Sequence, residues 1–237
     1  MRQFVSVITP TYNRRKFLPS LIECYKSQTY PKEYMEWIIL DDGEDCVKDV
    51  FDAVAKTIPN VKYIRQDTKL LIGAKRNILN KAARGEIVVA MDDDDFYFPE
   101  RVSNVVVQFA RNKSHELAGC SHIYMYYSDN KKIYSLGPYG PNHATNGTMA
   151  WRRSYALTHT YDETVTHAEE RSFLDNYTHP MIQLDPLKVM IVVSHSENTF
   201  DKKKLRDGPP NPFMKETQYK LRNFIKSPGM RAFFADA

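Results

Sequence analysis

The most constraining feature of the sequence is an apolar run that ends in four consecutive aspartates. Residues 87–91 are apolar and partly β-branched, and residues 92–95 follow them without a break. Such a run favours a β-strand covered on both faces, which is typical of a parallel sheet. Ligands of such sheets bind just beyond the carboxyl ends of the strands. Because adjacent carboxylates repel one another, the run indicates either a solvated acidic turn or a site for a divalent cation that bridges to a phosphate.

Length and composition are those of a globular protein. The 237 residues are 42% hydrophobic and 26% charged, which allows a continuous core. No run approaches the ~20 apolar residues of a membrane span, and no signal peptide precedes the first predicted strand, so we expect a cytoplasmic protein without a transmembrane segment. Cys24, Cys46 and Cys120 lie far apart and favour reduced thiols. The net charge of +4 comes without a nucleic-acid-binding motif, so nucleic acid is not an expected partner.

Strands alternate with helices through the first hundred residues. The pattern predicts strands over 4–9, 35–40, 61–65 and 87–91, with helices over 18–28, 47–58 and 73–85 between them. Pro10 is expected to end the first strand, and Gly85 is expected to end the third helix. This order predicts an α/β fold with a doubly wound, mostly parallel central sheet.

The second half has a different pattern. It predicts a helix over 102–109, a small antiparallel β element over 123–127 and 132–136, a strand over 148–151, a helix over 169–177 and a strand over 190–193. Residues 201–237 form a basic, Pro-rich C-terminal extension with a possible helix over 216–225. We therefore expect one domain over 1–200, with a nucleotide-binding half over 1–100, followed by the extension.

Three loops should meet at one edge of the predicted sheet, namely residues 10–14, 41–43 and 92–95. Asp41 and Asp42 fit a turn or helix cap and a ligand contact equally well. Neither a G-x-G-x-x-G nor a G-x-x-x-x-G-K-[ST] motif occurs, which argues against a dinucleotide dehydrogenase and a P-loop NTPase. Without a glycine-rich phosphate loop, the chain would need a metal on the acidic loop to hold the diphosphate of a nucleotide. Lys75 and Arg76 would add positive charge to that diphosphate, or would be surface cations.

Four segments carry a resemblance to a known family. Residues 5–14, 37–43, 73–87 and 91–95 resemble, in order and spacing, the nucleotide-sugar half of family 2 of the glycosyltransferases, which has the GT-A fold. The resemblance implies a metal-dependent, inverting glycosyltransferase that uses Mn²⁺ or Mg²⁺. Its partners would be a nucleoside-diphosphate sugar donor and the hydroxyl of a glycan or glycoconjugate acceptor. Residues 101–200 would be the acceptor half.

The resemblance also implies roles for residues in the first half. The loop from Pro10 to Tyr12, together with Asp42, would hold the nucleobase and ribose. Asp41 is the alternative to Asp42 for this role. Asp92 would lie nearer the ribose and Asp94 would coordinate the metal, and the flanking aspartates leave this register open by one residue. The nucleotide-sugar contacts implied are Pro10, Thr11, Tyr12, Arg14, Asp41, Asp42, Lys75, Arg76, Asp92, Asp93 and Gly147.

In the second half, residues 167–174 are similar to the segment that carries the family's catalytic base. Glu170 matches the base and Glu169 is the alternative, although the family more often has Glu-Asp here. Two acidic residues in the first turn of a helix are also stabilised by its dipole without any catalytic role. Gly147 resembles the glycine beside the donor sugar, and His195 resembles the late histidine that completes the metal site with Asp94 and Asp92.

Two other functions remain as alternatives. A sugar-1-phosphate nucleotidyltransferase also combines an α/β sheet with metal carboxylates, but it requires a glycine-rich, basic signature after the first strand. Residues 10–13 do not have that signature. A catalytically silent module that binds a nucleotide sugar or glycan would keep the fold without the reaction.

Overall fold

The structure is a computed structural model that describes residues 2–198 and 200–236. The strands are β1 (Val5–Thr11), β2 (Met35–Asp41), β3 (Val61–Arg65), β4 (Ile87–Ala90), β5 (Phe96–Tyr97), β6 (Leu117–Gly119), β7 (Ile123–Tyr127), β8 (Lys132–Leu136), β9 (Ala150–Arg152), β10 (Met181–Gln183), β11 (Met190–Ser194) and β12 (Met214–Glu216). The α-helices are α1 (Leu18–Lys26), α2 (Lys48–Ala55), α3 (Ile72–Ala82), α4 (Arg101–Arg111), α5 (Glu170–Phe173), α6 (Lys203–Asp207), α7 (Leu221–Phe224) and α8 (Pro228–Asp236).

The central sheet has the strand order β10-β6-β9-β4-β1-β2-β3. Strand β1 pairs in parallel with β2 and β4, and β2 pairs in parallel with β3. Strand β9 is antiparallel to both β4 and β6, so β6 runs in the same direction as β4. The predicted mostly parallel α/β sheet is confirmed. The carboxyl ends of β1, β2, β4, β6 and β10 all lie at one edge.

A second, smaller sheet has the order β12-β8-β7-β11-β5. Its β7–β8 hairpin is the predicted antiparallel element, with the predicted bounds. The chain passes from β4 in the first sheet to β5 in the second through residues 92–95. The acidic run is therefore held between the two sheets.

Both faces of the central strands are buried, which explains the continuous apolar runs. In β1, Val7 belongs to one hydrophobic cluster and Ile8 to a second cluster on the other face. In β4, Val89 and Val88 alternate in the same way. Because successive side chains of a strand point to opposite faces, a sheet covered on both sides requires this pattern.

Two predicted boundaries are wrong for identifiable reasons. Strand β1 continues through Pro10 to Thr11, in register with Leu40 and Asp41 of β2. The nitrogen of Pro10 faces the β4 side beyond the last β1–β4 pair, so its missing N–H removes no ladder bond. Helix α3 ends at Ala82, and Gly85 does not cap it. A Cβ at Gly85 would lie 2.5 Å from the backbone nitrogen of Ser6, so the glycine permits close packing against β1.

The second half also departs from the sequence pattern. Strand β9 begins at Ala150 after a 3₁₀ turn over Asn146–Thr148, and α5 covers only four of the residues predicted as a helix over 169–177. The helix predicted over 216–225 is confined to α7, and residues 214–216 are a strand instead. The extension is not a solvated tail, because Phe224 and Phe234 are buried in the larger cluster.

No helix within the described residues is long and apolar enough to cross a membrane.

Candidate active site

The loops after β1, β2 and β4 meet at the carboxyl edge of the central sheet, as predicted. Lys75 of α3 links the first two. Its Nζ donates to the backbone oxygen of Thr11 at 3.3 Å and to Asp42 Oδ1 at 2.5 Å. Asp42 Oδ2 accepts from the backbone nitrogen of Leu70 at 2.7 Å. Since Lys75 and Asp42 are both buried, Lys75 is not a surface cation.

The first loop presents an aromatic ring next to this ion pair. Pro10 and Thr11 are buried, and the ring of Tyr12 is half-buried. Lys69 Nζ lies 4.2 Å from the centre of that ring, and Lys75 Nζ lies 5.5 Å from it. An aromatic face next to two ammonium groups suits a planar base attached to an anionic diphosphate.

Asp41 has a different environment from Asp42. Its Oδ1 accepts from the backbone nitrogen of Gly43 at 2.9 Å. Its Oδ2 accepts from the backbone nitrogen of Val47 at 3.0 Å and from Tyr63 Oη at 2.5 Å, and it lies 3.2 Å from Arg65 Nη1. Both oxygens are thus engaged in shaping the turn before α2. This is the turn role that the sequence left open for the Asp41–Asp42 pair.

Arg76 of α3 connects the acidic run to α5. Its Nη1 donates to Asp92 Oδ1 at 3.0 Å and its Nε donates to Glu169 Oε1 at 2.8 Å. Asn146 Oδ1 accepts from the same guanidinium at 2.7 Å in the amide orientation that satisfies both groups. Burial alone would lower the pKa of Arg76, but Asp92 and Glu169 outweigh it and raise the pKa. Arg76 is therefore a buried, fully charged connector rather than a surface cation.

Glu170, the first residue of α5, differs from its neighbour Glu169. No side-chain hydrogen bond or ion pair involves its carboxyl group among the described residues, whereas Glu169 is paired with Arg76. Burial, followed by the charge of Glu169, raises the pKa of Glu170 to about 7. A carboxyl group with such a pKa exchanges a proton near neutrality, as a general base must.

The acidic run avoids the repulsion expected of four adjacent charges. Asp92 is paired with Arg76. Although burial raises the pKa of Asp94, the charges of Lys202 and His195 outweigh burial and lower it. Burial, followed by the charge of Asp94, raises the pKa of Asp93, and burial also raises the pKa of Asp95. Neighbouring cations and burial therefore reduce the repulsion within the run.

Asp94 and His195 form the part of the predicted metal site that the fold brings together. His195 Nε2 lies 3.1 Å from Asp94 Oδ2. This is a hydrogen-bond distance, and Asn198 Nδ2 also lies 2.7 Å from His195 Nε2. The same separation of ~3 Å is that of two neighbouring ligands at ~2.1 Å from one octahedral ion, so the pair is compatible with Mn²⁺ or Mg²⁺. Asp92 is held by Arg76 instead. Among residues 2–198 and 200–236, no three His, Cys, Asp or Glu side chains cluster as a complete metal site, so further ligands would have to come from a diphosphate or water.

Gly147 lies directly against Asp92. A Cβ at this position would be 3.1 Å from Asp92 Oδ2 and 3.2 Å from Tyr97 Oη. Tyr97 Oη also accepts a hydrogen bond from the backbone nitrogen of Asp92 at 2.7 Å. Any side chain at 147 would displace groups that position the start of the acidic run.

Sequence reasoning missed several residues of the site. Asn198 Nδ2 donates to Asp94 Oδ2 at 3.1 Å. Lys202, in the basic C-terminal extension, donates to the backbone oxygen of Val193 at 2.8 Å and lies 3.8 Å from Asp95. Arg14, which the sequence predicted as a site residue, lies near Asn198 and Asp94. Its Nη1 is 3.7 Å from Glu197 Oε2, and its charge also lowers the pKa of Asp94. No local sequence signal marks Asn198 or Lys202, because the turn after β11 brings both to the site.

Solved structures share this fold. A mannosyltransferase from Pyrobaculum calidifontis, solved in complex with GDP-Man and Mn²⁺, superposes with a TM-score of 0.66 at 17% identity, covering 90% of this chain and 67% of that chain. Residues 1–349 of TarS from Staphylococcus aureus, solved in complex with UDP, superpose with a TM-score of 0.61 at 19% identity, covering 80% of this chain and 60% of that chain. The predicted GT-A fold is confirmed.

Sequence comparisons agree with the fold. An uncharacterized glycosyltransferase of Haemophilus influenzae is 32% identical over 109 residues, which are 46% of this chain and 35% of that protein. The Staphylococcus aureus poly(ribitol-phosphate) beta-N-acetylglucosaminyltransferase TarS is 30% identical over 109 residues, 42% of this chain and 18% of that protein. The chain spans less than half the length of these curated relatives. The family model of glycosyl transferase family 2 matches residues 6–167, and with this fold and this arrangement of acidic loops the chain belongs to that family.

Proposed function

We propose that the chain transfers a sugar from a nucleoside-diphosphate sugar to an acceptor hydroxyl, with inversion at the anomeric carbon and with Glu170 as the general base. The observation that carries this proposal is the contrast between two adjacent glutamates. Glu169 is neutralised by Arg76, whereas the Glu170 carboxyl group is unpaired among the described residues and has a pKa of about 7. Positioned, correctly tuned bases of this kind accelerate proton transfer by about 10²–10⁴-fold.

The donor would lie across the ends of β1, β2 and β4. Tyr12 and Asp42 are proposed to hold the base and ribose, and Lys69 next to Tyr12 would add charge toward the diphosphate. Asp92, fixed by Arg76 and bordered by Gly147, would face the donor sugar or ribose. Solved relatives contain UDP, UDP-GlcNAc or GDP-Man, which supports a nucleotide-sugar donor for this chain.

Asp94 and His195 are the residues proposed to hold Mn²⁺ or Mg²⁺. The chemistry supplied there would be neutralisation of the negative charge on a departing diphosphate. The Asp94 carboxylate supplies the oxygen ligand that such a cation prefers, and Asn198 fixes its orientation through Oδ2.

The proton and bond changes follow from the proposed position of Glu170. Its carboxylate accepts the proton of the acceptor hydroxyl while that oxygen forms a bond to the anomeric carbon. The bond from the anomeric carbon to the diphosphate breaks on the opposite face, and the electron pair leaves with the nucleoside diphosphate. One displacement inverts the configuration, and the proton on Glu170 then passes to solvent.

Calorimetric titration of UDP and GDP into the wild type, with and without Mn²⁺, tests the donor half of this proposal. We expect at least one nucleotide to bind in a Mn²⁺-dependent manner, and Asp94→Ala to abolish the Mn²⁺ dependence. The matched control is Asp67→Ala, because Asp67 is an exposed carboxylate. The assignment would be refuted if neither UDP nor GDP bound the wild type, or if Asp94→Ala kept an unchanged Mn²⁺-dependent binding.

A further inference from the structure

A row of aromatic rings extends away from the candidate base along the acceptor half. The rings of Tyr177 and His143 are 4.9 Å apart, those of His143 and Tyr139 are 4.8 Å apart, and those of Tyr139 and Phe213 are 4.9 Å apart. These four side chains are called the aromatic row below. They come from three separate segments of the chain, so the fold and not a local motif assembles them.

One end of the aromatic row lies next to α5. Tyr177 lies in the turn that directly follows that helix, where the backbone nitrogen of Asn176 donates to the backbone oxygen of Arg171 at 2.9 Å. Asp175, Asn176 and Tyr177 are consecutive and left-handed, with φ values of 47°, 54° and 62°. Because L-residues adopt this conformation at an energetic cost, the fold keeps an unfavourable backbone here. The Tyr177 ring is nearly parallel to that of His143, at 22°.

Tyr139, the third ring of the row, lines an open cavity of about 420 Å³ at the same sheet edge as the acidic run. Gln183, the last residue of β10, and Ser121, which follows β6, line the same cavity, and the backbone nitrogen of Tyr139 donates to the backbone oxygen of Ser121 at 3.3 Å. Gln183 Nε2 donates to the backbone oxygens of Pro141 and His143, and its Oε1 accepts from the nitrogen of Ser121. The amide therefore ties this rim to the loop that carries the aromatic row.

The exposure of these rings needs an explanation. Tyr139 is 37% exposed and Phe213 is 43% exposed, although they are large aromatic side chains in contact with each other. A sugar ring has an apolar C–H face and hydroxyl groups at its edge, so it can stack on an aromatic ring while its hydroxyls reach polar groups. His122, whose Nε2 is hydrogen-bonded to Ser135 Oγ at 2.9 Å, and Gln183 are polar side chains in the lining of this cavity.

We propose that the aromatic row is the acceptor-binding surface and that it binds an uncharged oligosaccharide, whose terminal hydroxyl it presents to Glu170. This inference rests on the proposed function. The row runs from the turn after α5, at Tyr177, to a cavity lined by Tyr139, and this length favours an extended chain over a single sugar.

The cavity also distinguishes between acceptor classes. Among the described residues that line it, none is Asp, Glu, Lys or Arg. A phosphate-bridged polymer carries a negative charge in each repeat and is best held by Arg or Lys. The lining therefore favours a neutral glycan chain and disfavours a polymer such as poly(ribitol phosphate).

The first test is direct binding. Chitotetraose, cellotetraose, mannotetraose and poly(ribitol phosphate) are titrated separately into the wild type and into Tyr139→Ala in the presence of UDP and Mn²⁺. We expect at least one neutral tetrasaccharide to bind the wild type more tightly than poly(ribitol phosphate) does, and Tyr139→Ala to weaken that binding about tenfold or more. No binding of any neutral tetrasaccharide, preferred binding of the charged polymer, or equal binding to Tyr139→Ala would overturn the inference.

Kinetics with the tetrasaccharide that binds give the second test. Tyr139→Ala and Phe213→Ala should raise the KM for the acceptor with little change in kcat, because they remove binding that is equal in the ground and transition states. Tyr139→Phe, which keeps the ring, should raise the KM for the acceptor less than Tyr139→Ala does. Val107→Ala, an exposed apolar truncation on α4, is the control and should retain the wild-type KM. A fall in kcat alone would contradict a binding role.

These measurements separate the two proposals. UDP or GDP binding by the wild type tests the donor site without any acceptor. If nucleotide binds and the aromatic variants behave as wild type, only the acceptor assignment is wrong. If no nucleotide binds, the proposed function is wrong.

Discussion

Arg76 Nε donates to Glu169 Oε1 at 2.8 Å, and this buried ion pair joins α3 to the start of α5 across 93 positions of sequence. The same guanidinium holds Asp92 at 3.0 Å. One cation thus sets the acidic run and the candidate base in a fixed relation to each other. In the proposed reaction, donor and acceptor chemistry depend on the same side chain.

Replacement of Arg76 is expected to damage stability and activity together. Arg76→Met leaves the buried Glu169 and the partly buried Asp92 without their cation, so we expect the free energy of unfolding to fall by about 3–5 kcal/mol. Chemical denaturation measures this change. The matched control is Arg111→Met, because Arg111 is an exposed arginine at the end of α4 and should change stability by less than about 0.5 kcal/mol. Equal effects of the two substitutions would contradict the connector role.

The two adjacent glutamates should respond to amide substitution in opposite directions. Glu169→Gln weakens the pair with Arg76 and should lower the melting temperature. The pKa of Glu170 is raised from 4.5 to about 7, so the folded state favours its protonated form and loses stability as the pH rises through that interval. Glu170→Gln removes this loss, and its melting temperature should exceed that of the wild type more at about pH 8 than at about pH 5. A constant difference across this range would argue against a buried, titrating Glu170.

The pH dependence of sugar transfer follows from the same group. A base with a pKa of about 7 is mostly protonated below that value, so log kcat/KM should rise with unit slope and level off above about pH 7. Initial rates at subsaturating acceptor measure the profile. Glu170→Asp should keep a rising limb at a lower rate, because it keeps a carboxylate but shortens the reach. A profile that is flat from about pH 5 to about pH 8 would exclude Glu170 as the titrating base.

The central sheet is predictable from the sequence because local patterns and tertiary burial agree there. The runs of β1, β2 and β4 are apolar on both faces, and the structure buries both. Pro10 and Gly85 were misread because their roles depend on which neighbour they face. A proline is tolerated at position 10 because β4 has already ended on the side that its nitrogen faces. Position 85 needs a glycine because the backbone of β1 lies too close for a Cβ. Neither neighbour is visible in a local window.

The site is predictable in part for the same reason. Asp42, Asp92 and Asp94 follow strands, so a parallel sheet brings them to one edge. The division between Asp41, which shapes a turn, and Asp42, which pairs with Lys75, depends on hydrogen bonds to residues that are distant in sequence. The four residues of the aromatic row lie in three segments with no common motif, and only the folded chain brings them together.

Gly147 offers a test of how closely the site is packed. Gly147→Ala places a Cβ 3.1 Å from Asp92 Oδ2, so Asp92 must shift by a few tenths of an ångström. We expect a rise in the KM for the donor of roughly tenfold, since small displacements of positioning groups are costly. Gly229→Ala is the matched control, because its Cβ would meet no atom within 4 Å and it lies outside the proposed site. Identical donor kinetics for the two variants would show that Gly147 does not border the donor.

Release of nucleoside diphosphate from UDP-sugars and GDP-sugars with Mn²⁺ and an acceptor, compared between the wild type and Glu170→Gln, tests the central claim most directly. The account predicts acceptor-dependent release by the wild type and a loss of about 10²–10⁴-fold in Glu170→Gln, with nucleotide binding retained. Full release by Glu170→Gln would contradict it.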